Sequence, residues 1–150
     1  MKINYPEILK KNMINVFKDV LLDIENNGLQ EGHHLYITFN TEESKVTIPN
    51  WLKEKNQEEM TIVIQFEYWN FKVKKNSFNI GLSFNDIKTD LEISFDSVIS
   101  FADPYANFGL RLIQDNDINN SFKAKPIIKK KKEGKKKKNN VIDFKKFKKN

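Results

Sequence analysis

The sequence contains no cysteine, which excludes disulfide bonds and thiolate metal sites. It has only five glycines and none of them cluster, so a glycine-rich loop that cradles phosphate is absent. No apolar run approaches the roughly 20 residues that a membrane-spanning helix needs. The first residues lack the apolar core of a signal peptide, and we therefore expect a cytoplasmic protein with no membrane partner.

Histidine is also scarce, since His33 and His34 are the only two in the chain. Adjacent side chains on a strand point to opposite faces, and no third ligand stands at a recognisable spacing. The pair therefore favours turn or partly packed histidines over a metal site. The sequence has no nucleophile elbow and no metalloprotease helix. We expect no enzyme activity, no catalytic residue, no cofactor and no metal.

Charge is divided sharply along the 150 residues. Residues 123–150 hold fourteen lysines and two acidic residues, a net charge of +12. Residues 1–122 hold twelve basic and eighteen acidic side chains, a net charge of −6. The formal charge of +6 is therefore the sum of an acidic body and a basic tail. The length leaves room for one domain plus that tail.

The tail has two parts. The apolar pattern stops at Gln114, and residues 123–138 are nearly all lysine, which predicts a disordered, extended linker because like charges repel. Apolar residues return only in the last twelve residues, as expected for a short peptide anchor held on a flexible tether. We predict a folded domain over residues 1–113, a linker over 114–138 and a docking peptide over 139–150.

The body begins with an amphipathic helix, predicted over Tyr5–Asn27 from apolar residues at three- and four-residue spacings. Pro6 suits the first helical turn and Gly28 suits the end. The apolar stripe is wider than one packing face needs. Two interpretations stay open: a deeply buried helix, or a helix that covers a sheet with one side and meets a second copy with the other.

Beyond the helix the apolar period changes to two, which is typical of strands. We predict one helical turn over residues 49–55 and a single long strand over 60–69, in which Phe66 faces the same way as Met60, Ile62 and Ile64. Further strands or extended pieces are predicted over residues 35–39, 46–48, 71–74, 78–84, 91–95, 98–102 and 109–112. This spacing indicates an α+β, mainly β fold, built as a small barrel or sandwich.

Five segments of the body resemble the SspB family, in its alpha-proteobacterial branch. They read GHHLYITF (32–39), EEMTIVIQFEYW (58–69), FNIGLSF (78–84), LEISFDSVISFADP (91–104) and FGLRL (108–112). The resemblance covers residues from about 5 to 113, in order and with similar spacing. It implies an N-terminal helix followed by a small two-sheet, barrel-like body.

The resemblance also implies a function. SspB proteins are adaptors for the ClpXP protease: they bind the ssrA degradation tag and tether the tagged protein to the ClpX unfoldase. The family is homodimeric, with the N-terminal helix in the subunit contact. A short peptide at the end of a disordered linker docks on the N-terminal zinc-binding domain of ClpX, so the zinc belongs to the partner.

Three sets of residues follow from this resemblance. The predicted peptide groove consists of Gln65, Phe66, Gly81, Phe84, Phe101 and Ala102. The predicted dimer contact consists of Leu9, Met13, Val16, Phe17 and Val20. The predicted ClpX-docking residues are Val141, Ile142, Phe144, Phe147, Lys148 and Lys149. The tail departs from the family pattern at Lys145, where an acid is expected, and Asp143 stands in the spacer instead.

The residues alone leave other interpretations open. Every aromatic residue of the predicted groove can equally be core, and Gln65 can be a satisfied structural amide. A block of lysines binds phosphate through counterion release, so nucleic acid is a possible partner of the tail. The acidic body and the lack of interleaved aromatic residues in 123–138 argue against that as the main role. The alternative function is a general peptide-binding module with a basic RNA- or ribosome-binding tail.

Overall fold

A computed structural model of the chain describes residues 2–112 and 114. The predicted linker, beyond Gln114, and the docking peptide lie outside the described residues. The helices are α1 (Tyr5–Asn27) and α2 (Asn50–Lys55), with short 3-10 helices at Phe95–Ser97 and Pro104–Ala106. The strands are β1 (Leu35–Asn40), β2 (Glu59–Ile64), β3 (Trp69–Val73), β4 (Ser77–Phe84), β5 (Ile87–Ser94), β6 (Val98–Asp103) and β7 (Phe108–Arg111).

Helix α1 has the bounds that the sequence predicts, because both of its ends are capped. The Asn4 side chain accepts a hydrogen bond from the Glu7 backbone N–H at 3.2 Å, which satisfies one of the free donors of the first turn. At the other end the Gly28 N–H donates to the Ile24 carbonyl at 2.7 Å. Gly28 has φ of 77°, a conformation that glycine adopts without a steric penalty.

The strands form two antiparallel sheets, as the α+β, mainly β prediction requires. The four-stranded sheet has the order β2-β1-β6-β7, and the three-stranded sheet has the order β3-β4-β5. Strand β1 shows why the sequence alternates: Leu35, Ile37 and Phe39 are buried, while the residues between them face outward. The β4–β5 hairpin turns at Asn85 and Asp86, which both have positive φ as a two-residue turn of this kind needs.

The core lies where α1 meets both sheets. The Phe17 ring contacts Phe78 of the three-stranded sheet at 5.9 Å and Phe101 of the four-stranded sheet at 4.9 Å between centroids. Phe17 is fully buried within this one chain. Its side chain is therefore absent from the surface that a second copy would meet, which corrects its assignment to the dimer contact. Aromatic pairs of this kind explain part of the high phenylalanine content.

The single long strand predicted over residues 60–69 is wrong. Strand β2 ends at Ile64, residues 65–68 form a bend, and β3 starts at Trp69 in the other sheet. Phe66 consequently leaves the face of Met60 and is 83% exposed. The alternation of apolar residues continues through the bend although the strand does not. A chain that crosses from one sheet to the other still carries apolar residues, but their side chains no longer point to the same face.

Candidate functional site: a groove between the two sheets

A groove of about 480 Å³ opens between β2 and the end of β4. Strand β2 is an outer strand of the four-stranded sheet, and among the described strands only β1 pairs with it. An outer strand carries backbone N–H and C=O groups that a further strand can use. The lining combines residues of β2, the bend and β4: Thr61, Ile62, Val63, Gln65, Phe66, Glu67, Leu82, Ser83 and Phe84.

Three of the six predicted groove residues, Gln65, Phe66 and Phe84, lie together here. Gln65 and Phe84 are half-buried, and Phe66 projects from the bend. Their side chains offer one amide, which both donates and accepts hydrogen bonds, and two aromatic rings. A concave surface with few polar groups and apolar walls is suited to an extended peptide.

The other three predicted groove residues lie elsewhere. Gly81 is buried beneath the Trp69 indole, and a Cβ atom at Gly81 would overlap that ring. Phe101 is 2% exposed and packs in the core. Ala102 lies on β6, which β1 separates from β2 in the four-stranded sheet, and it pairs with Gly109 of β7. The space that a side chain at Gly81 would fill is thus taken by a side chain of the same domain. Periodicity alone cannot distinguish such space from space for a ligand.

Sequence reasoning missed the remaining lining residues of the groove. The sequence predicts Thr61, Val63, Leu82 and Ser83 on strands but gives none of them a part in the groove. Their role depends on β2 and β4 coming together from different sheets. The only local signal was the position of Gln65, a polar residue inside an apolar run.

A second cavity of about 480 Å³ lies between α1 and the four-stranded sheet. Its apolar lining includes Val20, Ile24 and Phe108, and its acidic residues are Asp19, Asp23 and Asp103. We call this the helix cavity. Beside it, the predicted contact residues Leu9, Met13, Val16 and Val20 share one face of α1, since they are separated by four, three and four residues.

Exposure alternates along that face of α1. Leu9 is 44% and Val16 is 42% exposed, whereas Met13 and Val20 pack partly against the core. Ile3, Tyr5 and Ile8 add further exposed apolar surface. Several large exposed apolar side chains near one end of a helix mark a candidate contact with another protein.

His33 has a structural role at the edge of the helix cavity. Its Nδ1 atom lies 2.6 Å from the Asp103 carboxylate, and its ring centroid lies 4.7 Å from that of Tyr105. This placement agrees with the expectation of a partly packed histidine. Among residues 2–112 and 114, no group of three or more potential ligands could hold a metal ion. No helix in that part of the chain is long and apolar enough to cross a membrane.

The comparisons with known proteins identify the family. The family model described as SspB, stringent starvation protein B, matches residues 7–147. The chain belongs to the SspB family. No curated protein matches the sequence significantly. The resemblance inferred from the five body segments is therefore confirmed at the level of the family, and membership supports a proteolysis adaptor that has a protease as its partner.

Proposed function

We propose that this SspB family member is a cytoplasmic, non-catalytic adaptor of ClpXP. The groove between β2 and β4 binds ssrA-type degradation tags, and residues 139–150 dock on the zinc-binding domain of ClpX. The observation that carries the proposal is the meeting of Gln65, Phe66 and Phe84 in one groove beside the outer strand of a sheet. Gln65 and Phe66 lie on the bend that follows β2, and Phe84 is the last residue of β4 in the three-stranded sheet.

The groove supports peptide binding through both backbone and side chains. An extended peptide beside β2 can use the unpaired backbone groups of that strand, which gives affinity without sequence preference. The Gln65 amide can hydrogen-bond a polar group of the tag, and the rings of Phe66 and Phe84 can hold its apolar side chains. Main-chain pairing combined with a few side-chain pockets is the usual way in which sheets read short peptides.

The tail supports the tethering half of the proposal. The family match continues to residue 147 and so includes Val141, Ile142, Phe144 and Phe147. Twenty-seven residues separate Ile113 from Val141. A flexible chain of that length spans roughly 30 Å, and more when like charges extend it. Such a tether gives an effective concentration on the order of millimolar, so two weak contacts suffice for delivery.

We further propose that the active form is a homodimer joined through α1. Leu9, Met13, Val16 and Val20 supply the apolar face, and the helix cavity lies next to it. Two copies would carry two tails, which would strengthen docking by the same effective-concentration argument.

Deletion of residues 139–150 tests this division of labour. We expect the truncated protein to bind a fluorescent ssrA-type tag peptide with the affinity of the full chain, but to lose enhanced degradation of a tagged substrate by ClpXP. The matched variant removes only residues 129–138, which shortens the tether and keeps both contacts. Enhanced degradation by the protein that lacks 139–150 would overturn the tethering mechanism.

The competing RNA-binding function makes a different prediction for the same proteins. If the lysine segment serves RNA, RNA affinity should be high, fall steeply with salt and vanish when residues 129–138 are removed. Tag-peptide binding would then be absent or unrelated to the tail. A titration of RNA and of tag peptide against the full chain distinguishes the two functions.

A further inference from the structure

The histidine pair is the one sequence feature that the proposed function leaves without a role. His33 is held by Asp103 at 2.6 Å and by the ring of Tyr105. These contacts fix the backbone immediately before β1, which begins at Leu35. Successive residues of an extended chain point to opposite sides, so with His33 anchored to Asp103 the adjacent His34 side chain points the other way.

His34 meets Phe66 on that other side. Their ring centroids are 6.2 Å apart with an interplanar angle of 85°, an edge-to-face arrangement. In the β1–β2 register Leu35 pairs with Ile64, so His34 stands beside the point where β2 gives way to the bend. The contact thus joins the start of β1 to the bend over residues 65–68.

Phe66 has few contacts with the rest of the domain compared with the other side chains of the groove. At 83% exposure, it is the most exposed of the large apolar side chains that the structure describes. A ring on a bend that is free to change rotamer loses that freedom when it closes on a peptide, and the loss opposes binding. A neighbouring ring that already restricts it reduces this cost.

We propose that His34 is a positioning residue that holds Phe66 as the outer wall of the peptide groove. The inference rests on the proposed function, since it assigns a role within the same groove. His33 anchors the segment to Asp103, and the adjacent His34 ring restricts the positions that the Phe66 ring can take. The His34 side chain is half-buried, so part of it is free to contact the Phe66 ring from the side of β1.

A double-mutant cycle on the full-length protein tests the role of His34. We measure the affinity for a fluorescent ssrA-type tag peptide with His34→Ala, Phe66→Ala and the double variant. His34→Ala should weaken binding about fivefold, within the range that one aromatic pair contributes. In the Phe66→Ala background the same change should have no further effect, because the ring that His34 holds is gone.

Conservative variants separate positioning from general stability. His34→Phe and His34→Tyr keep a ring edge and should restore affinity to within about twofold of wild type, since the aromatic pair is kept. His34→Gln keeps a polar side chain but removes the ring, and it should behave like His34→Ala. A His34 that only stabilises the fold would instead lower the unfolding temperature of the alanine and glutamine variants without separating ring from non-ring variants in affinity.

Specific results would overturn the inference. Independent, multiplicative losses in the cycle, or failure of both aromatic variants to restore binding, would show that His34 does not act through Phe66. Unchanged His34 ring-proton shifts in the NMR spectrum of free Phe66→Ala protein would show that the contact itself is absent. If the wild-type protein binds no tag peptide, the proposed function fails. If it binds and His34→Ala binds equally well, only this inference fails.

Discussion

The groove and the helix cavity have the same volume, about 480 Å³, but differ in what surrounds them. The groove borders β2, an outer strand with unpaired backbone groups, and contains an amide and two aromatic rings. The helix cavity borders the exposed apolar face of α1 and three aspartates. Volume therefore does not distinguish the two, and the proposal of a peptide site in the groove rests on its strand edge and on the polar group among its apolar walls.

The largest expected effect is on dimerisation through the face of α1 that lies beside the helix cavity. Val16→Asp places a charge on the exposed apolar face of α1, and it should weaken dimerisation by at least about 30-fold, as expected for a central contact residue. Sedimentation equilibrium measures the dimer. Tag-peptide affinity per subunit should stay within about twofold of wild type. A parallel loss of dimer and peptide binding would remove the distinction between the two cavities.

Gly81→Ala tests whether Gly81 belongs to the groove or packs beneath Trp69. Its new Cβ atom would overlap the Trp69 indole, so we expect a loss of about 2 kcal/mol in the free energy of unfolding. The matched control is Gly109→Ala, whose Cβ atom would meet the Ala102 methyl at an ordinary 3.6 Å. Denaturant unfolding, followed by tryptophan fluorescence, measures both. If Gly81→Ala keeps its stability and loses only peptide affinity, Gly81 belongs to the groove after all.

Phe84→Ala tests the groove itself. Removal of this half-buried wall should weaken binding of an ssrA-type tag peptide about tenfold, since a truncated anchor residue costs more than 1 kcal/mol. Phe108→Ala in the helix cavity is the matched control and should change affinity less than twofold, because Phe108 lies away from the groove. Fluorescence anisotropy measures both. Equal losses would contradict the assignment of the peptide to the groove.

The smallest expected effect lies outside both cavities. A hydrogen bond from Lys74 at 2.8 Å, with another from Ser77, holds the pKa of the Glu92 carboxyl below its usual value of 4.5. A lowered folded-state pKa adds stability at pH above the unfolded value, and this stability is lost as pH falls through the folded value. Glu92→Gln should therefore cost less than about 1 kcal/mol at pH 7 and nothing at low pH.

Chemical unfolding at pH 7 and at low pH checks the Glu92 prediction, and Glu42→Gln, another surface carboxylate, is its control. A constant difference between Glu92→Gln and wild type across that range would contradict the pKa argument. This variant should leave both dimerisation and tag binding unchanged, so it also separates general stability from either cavity.

The sequence predicted local elements well where one face is buried. The bounds of the helix over Tyr5–Asn27 follow from periodicity and from Pro6 and Gly28 at its ends. The crossing at residues 65–68 could not be seen, because an apolar run looks the same whether it continues in one sheet or passes to another. The prediction that Phe17 lies in the dimer contact is wrong for a similar reason. Periodicity places a residue in the apolar stripe of a helix but does not tell which part of a wide stripe faces the core and which faces outward.

The candidate site was only partly predictable for a related reason. Gln65 is a polar residue in an apolar run, and Phe66 and Phe84 are predicted from the central segments that resemble the family. Gly81 and Phe101 have the same local character, yet Trp69 covers one and the core encloses the other. What separates them from the groove residues is contact with a neighbouring strand for Gly81 and with the core for Phe101, which no spacing along the chain records. The docking residues of 139–150 stay predictions.

The most direct test is to map a bound tag peptide on the isotope-labelled full-length protein by amide chemical shifts. The proposed function predicts that the largest changes fall on Thr61, Val63 and Ser83, which line the groove, together with the bend over residues 65–68. Residues of the helix cavity should change little. Shifts concentrated at Val20 and Phe108 instead would place the peptide against α1 and contradict the assignment of the groove.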